Sequence, residues 1–77
     1  MNQQRRKRLE CVTQKIDELV QELYDIQSEE QDALDNLPEG LQESERGDQM
    51  QENIDNIDSI ISDLETIADD IDNVIIA

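Results

Sequence analysis

The chain has 77 residues, 35% of them hydrophobic and 35% charged, with no His, Trp or Phe, one Tyr, one Cys and a net charge of −15. This excludes a large monomeric core, because a chain this short buries only about 60% of its unfolded surface and must do so here with aliphatic residues. It also excludes an internal disulfide, since Cys11 has no partner, and the absence of imidazole removes the commonest general base and metal ligand.

Charge is divided along the sequence. Arg5, Arg6, Lys7, Arg8 and Lys15 are five of the six basic residues, and Glu10 is the only acid among the first fifteen positions. From Ile16 onward, twenty acids face Arg46 alone. Such a body repels nucleic acid and anionic membrane and favours basic partners. No apolar run approaches the ~20 residues of a spanning helix. Charges also interrupt the segment after the basic start before a signal-peptide core could form. The expected setting is cytoplasmic and reducing, with no direct nucleic-acid binding and no membrane.

The first predicted element is a helix over about residues 4–36. Leu9, Val12, Ile16, Leu19, Leu23 and Ile26 recur at alternating steps of three and four, the spacing of a single apolar seam. The pattern continues through Glu30 and Ala33, with Val20 and Leu34 beside it. Glu30 reads either as a partner contact or as a polar residue that sets register. Cys11 falls outside the seam, with no base or helix N-terminus to lower its pKa, and reads as a surface thiol.

A turn is predicted over about 37–42, within "DNLPEGLQES". Asn36 suits the left-handed conformation at a helix C-terminus. Pro38 cannot continue the helix and restricts Leu37, and Asn36 followed by Pro38 and Glu39 also suits an N-cap with an acid at N3, giving a short turn near Pro38 to Gln42. Gly40 offers freedom for the change of direction, and Ser44 or a neighbour restarts the helix.

A second helix is predicted over about 43–76. Ile54, Ile57, Ile61, Leu64, Ala68 and Ile71 form its seam, extended forward to Ile75 and back to Met50 and Gly47. The two seams mirror each other. Leu9 pairs with Ile71, Val12 with Ala68, Ile16 with Leu64, Leu19 with Ile61, Leu23 with Ile57 and Ile26 with Ile54, all centred on Gly40. The fold expected is therefore all-α: one domain spanning 1–77, an antiparallel two-helix coiled-coil hairpin with Arg8 opposite Asp72. Gly47 opposite Ala33 reads as a close helix approach.

Ile60, Ile67 and Val74 form a third aliphatic line on the second helix. With Val20 and Leu34 they make a face too wide for two helices, and are expected to form an oligomer or partner interface. A dimer of hairpins closing into a four-helix bundle is the simplest completion. The alternatives are a monomer with an apolar flank, or a face awaiting a different protein.

No catalytic, cofactor-binding or metal-ligating set is expected. The aspartates lack the D-x-D-x-D-G calcium loop, the Glu-x-x-His di-iron pattern is absent, and no Gly-rich phosphate loop occurs. The Arg5–Arg8 cluster reads as a weak nucleic-acid contact or basic address, or as a group paired with the acidic C-terminal turns, and the pairing is the expectation. The reading is of a non-enzyme.

The stretch from Gln31 to Asp58, "QDALDNLPEGLQESERGDQMQENIDNID", resembles small acidic helical proteins of bacteriophages and prophages of Gram-positive bacteria. In that group a turn of the NLPEGLQESERG kind precedes acidic helical repeats. The resemblance covers the turn and second helix; the first helix shares only its heptad pattern, and Ile and Asn stand here where that group favours Leu, Glu and Ala. It implies a phage accessory or host-takeover protein working in the bacterial cytoplasm, and carries no established activity. The function expected is a self-associating, acidic interaction protein with a basic host protein as partner. The alternative is a DNA mimic that inhibits a host nucleic-acid-binding or defence protein.

Overall fold

The computed structural model describes residues 1–77 and is built of three helices: α1 (Gln3–Asp35), α2 (Glu39–Gln42) and α3 (Glu45–Ile76). Helix α1 packs against α3 along its length, and the one-turn α2 packs on the start of α3. A 33-residue helix is about 50 Å long, and the hairpin is a rod of 59 × 15 × 11 Å. Its radius of gyration of 17.5 Å contrasts with the ~11–12 Å of a compact domain of this length.

Local chemistry fixes the ends. Asn2 caps α1, its Oδ1 accepting from the Arg5 amide at 2.9 Å. Ser44 begins α3 in extended geometry, and its hydroxyl turns back to donate to the Leu41 carbonyl. Glu45 and Asp48 lie in the first turn of α3, where carboxylates complement the helix dipole. At the free end Arg6, rather than Arg8, crosses between the helices: its Nη2 donates to the Ala77 carbonyl at 3.1 Å.

The connection differs from expectation in its backbone. Asn36 is right-handed (φ −87°, ψ −4°), and no residue, glycine included, has positive φ. Reversal is achieved by two corners flanking α2. The Leu37 amide bonds Leu34 O at 3.1 Å, the Leu41 amide bonds Pro38 O at 2.8 Å, and the Ser44 amide bonds Leu41 O at 3.2 Å. Gln42 braces the first corner, its Nε2 donating to Leu37 O at 3.0 Å and Asp35 O at 3.3 Å. Those carbonyls would otherwise lack partners at the end of α1.

The two glycines therefore trade roles. Gly40 lies inside α2 with open space where a Cβ would project. Gly47 is buried, and a Cβ there would overlap Gln42 O and lie 2.6 Å from Gln42 C and 2.8 Å from Leu41 O. The close approach inferred for Gly47 exists, but against the α2 backbone in the connection instead of Ala33.

Candidate interaction surface

The seam of α3 is Gly47, Met50, Ile54, Ile57, Ile61, Leu64, Ala68, Ile71 and Ile75, all buried or half-buried. Ile61 lies at its centre, 1% exposed. In α1 the inward residues are Arg6, Leu9, Thr13, Ile16, Val20, Leu23, Gln27, Glu30 and Leu34. The structure thus keeps Leu9, Ile16 and Leu23 in the seam and corrects its second line. Val20 and Leu34, read as outward interface residues, are buried inside the hairpin. Val12, Leu19 and Ile26, read as seam residues, are exposed.

The physical reason is a choice between neighbours. The Leu9–Ile16–Leu23 line is bordered three residues on by Val12, Leu19 and Ile26, and four residues on by Thr13, Val20, Gln27 and Leu34. One partner helix covers two adjacent lines. The second border is anchored where the first is not. Gln27 Nε2 donates to Ile54 O at 3.1 Å and to Asp58 Oδ1 at 3.4 Å. Leu34 is held by the connection, whereas the other border ends in an exposed Ala33. The Gln27–Ile54 bond ties the middle of α1 to α3, and the Asn53–Glu30 bond ties them again one turn nearer the connection.

Two polar contacts establish which side of the rod each line occupies. Asn53, in line with Ile60, Ile67 and Val74, donates to Glu30 Oε2 at 3.1 Å. Glu30 is in line with Leu9, Ile16 and Leu23, so the exposed line of α3 lies on the side of the rod where α1 carries Val12, Leu19 and Ile26. Glu30 is thus a cross-helix hydrogen-bond acceptor. The other side is polar: the Tyr24 hydroxyl donates to Glu65 Oε1 at 3.3 Å, beside the Gln27–Asp58 contact. The negative charge of Glu65, with lesser help from burial, the hydrogen bond and Asp58, holds the Tyr24 phenol above its ordinary pKa.

One face of the hairpin therefore carries six aliphatic side chains between 42% and 55% exposed: Val12, Leu19, Ile26, Ile60, Ile67 and Val74. The α1 line alone extends about 21 Å at 1.5 Å per residue. The molecule exposes 5813 Å², where a compact monomer of 8.9 kDa exposes about 4,800 Å². The excess, of order 1,000 Å², results from a rod with a one-sided core.

The short turn expected near Pro38 to Gln42 is the one-turn helix α2, and the polar seam position Glu30 was visible in the sequence; the Gln27 contact left no signal, because it depends on a side-chain amide reaching one backbone carbonyl across the seam. No group of three or more His, Cys, Asp or Glu is placed to hold a metal ion. Cys11 is a free, exposed thiol. No helix is long and apolar enough to cross a membrane. Comparison of the chain with protein-family models, with curated proteins and with solved structures finds no match.

Proposed function

We propose that this chain is a non-enzymatic interaction protein: a helical hairpin that self-associates through its apolar face and presents its acidic surface to a basic protein. The observation that carries this reading is the line of half-exposed aliphatics on each helix, gathered on one side of the rod. Covering a side chain that is already half-buried contributes on the order of 1 kcal/mol. Six per copy are enough to make association favourable against its entropic cost. Contiguous apolar surface of several hundred Å² marks interaction sites on small proteins. The resemblance of the turn and second helix to phage proteins supports a host-directed accessory role.

Analytical ultracentrifugation tests self-association, and a monomer at micromolar concentration would overturn it. Ile60→Asp with Ile67→Asp should split the assembly and leave the hairpin helical. Salt separates association through the apolar face from contacts made by the acidic surface. Capture of a basic groove by carboxylates weakens steeply as salt rises, whereas association through Ile60, Ile67 and Val74 persists.

A further inference from the structure

Resting on the self-association just proposed, we infer that the apolar face is covered by a second copy of this chain turned end for end. The two turns then lie at opposite ends, α1 packs antiparallel on α1 of the other copy, and α3 packs on α3.

The border of the face on α1 is complementary to itself. Outside Val12, Leu19 and Ile26, the next line of the helix is Arg8, Lys15, Glu22 and Glu29, four exposed residues at heptad spacing. The charges read plus, plus, minus, minus, so the series reversed is its own complement. In an antiparallel pair of identical helices the same border line of each copy meets across the seam, and charges there set partner and orientation. Arg8 therefore stands beside Glu29 of the second copy and Lys15 beside its Glu22. The two-fold repeats both contacts, giving four opposite-charge pairs and no like pair in this border. Arg8 and Glu29 of one copy are about 31 Å apart along their helix at 1.5 Å per residue, so they can pair only between copies. The same two-fold sets Leu19 on its own copy and Val12 on Ile26. Leu19 is also the middle residue of the 33-residue α1. The register that pairs the charges and the aliphatics is thus the one in which the two rods overlap over their full length.

Charge on the scale of the whole rod points the same way. The half nearer the turn, residues 20–60, holds thirteen acids and one base, Arg46, for a charge of −12. The half nearer the free end, residues 1–19 and 61–77, holds eight acids and five bases, for −3. The other two-fold, about the long axis of the rod, keeps both turns at one end. It also gives Arg8 and Lys15 aspartates to face on α3, so the border pairs alone do not exclude it, but it lays −12 on −12. Turning the second copy end for end lays each −12 half on a −3 half, which cuts the product of facing charges to about half. The one like-charge contact of this arrangement is Asp63, which meets its own copy at the border of α3. That is a single exposed pair against four attractive ones.

Spin labels at Glu43→Cys, in a Cys11→Ser background, test the arrangement by pulsed electron-electron distances in the associated protein. Glu43 is exposed at the turn, and Cys11 is exposed. The result expected is a label separation near the 59 Å length of the rod. A separation of about 20–30 Å, the width of a four-helix bundle, would overturn the arrangement and leave self-association standing. The absence of any intermolecular distance would overturn both. A charge swap supplies a second measurement, read as the dimer dissociation constant in sedimentation. Arg8→Glu should weaken the dimer by roughly tenfold, and adding Glu29→Arg should restore it. Adding Glu52→Arg instead, at an exposed site off the border, gives the same net charge and should not restore it. Equal recovery by both double variants, or none by Glu29→Arg, would overturn the α1-on-α1 pairing.

Discussion

Replacing each glycine by alanine should move stability in opposite directions. In an ordinary helix interior, Gly to Ala stabilises by about 1 kcal/mol. Gly40 meets that condition: it lies in α2, its φ is negative, and a Cβ meets nothing within 4 Å. Gly40→Ala should therefore gain about 0.5–1 kcal/mol. Gly47 has the same helical backbone, but its added methyl would overlap Gln42 O and lie 2.6 Å from Gln42 C. Those are backbone atoms of the connection, so relief requires α2 to move away from α3. That movement opens the Ser44–Leu41 and Gln42–Leu37 contacts. Overpacking costs about 1–3 kcal/mol, and two weakened hydrogen bonds add about 1 kcal/mol. Set against the propensity gain, Gly47→Ala should lose about 1–3 kcal/mol, a gap of roughly 2–4 kcal/mol between the variants. Urea unfolding followed by circular dichroism at 222 nm, at one fixed protein concentration because association contributes to apparent stability, reads this directly. Equal stabilisation by both alanines would refute the assignment of Gly47 as the contact glycine of the turn.

Val20→Asp and Leu19→Asp form a matched pair one residue apart. The first buries an unpaired carboxylate and should cost 3 kcal/mol or more, abolishing the thermal transition; the second should keep the helical spectrum and remove association in sedimentation. Ile61→Ala, at the most buried position, should cost about 2–5 kcal/mol, a large share of the ~4–12 kcal/mol available to a chain of this length, visible as a shift in urea midpoint. Absorbance titration at 295 nm should place the Tyr24 phenol above its ordinary value of 10.0, and Glu65→Gln should lower it. Because the folded value is raised, the linked stability is fully present below pH ~10 and is lost as pH rises through the folded value, so the Glu65→Gln variant should show a shallower loss of stability across that range.

Helix α3 was legible in its sequence although Ile57, Leu64 and Ile71 also have apolar neighbours at both three and four residues, because Gly47 extends the Ile54–Ile61–Ala68 line toward the turn whereas Asn53 breaks the Ile60–Ile67–Val74 line. Helix α1 was ambiguous because Leu9, Ile16 and Leu23 have apolar neighbours at both three and four residues. Periodicity scores Thr13 and Gln27 as breaks, so it favoured Val12, Leu19 and Ile26. What decides for Val20 and Leu34 is a side-chain amide reaching a backbone carbonyl, Gln27 to Ile54, together with the anchoring of Leu34 at the connection. Neither leaves a periodic trace. The turn was found by its proline, and the short turn near Pro38 to Gln42 was expected, but the ordinary backbone at Asn36 and Gly40 was not. Asn36 and Gly40 are residues that tolerate left-handed backbone, and the chain instead reverses through a one-turn helix with ordinary φ throughout.

The misassigned line and the proposed interface have a common origin. Val12, Leu19 and Ile26 look like a seam because, together with Leu9, Ile16 and Leu23, they have the spacing that faces a bundle axis. In one hairpin that pair of stripes cannot both be covered, so six half-exposed aliphatics remain. Burial of those side chains supplies the drive for association but no direction, because aliphatic contact is non-directional. The five basic residues among the first fifteen positions are nearly the entire positive charge of the molecule, and two of them, Arg8 and Lys15, border the apolar face. A chain at −15 repels its own copy in most orientations.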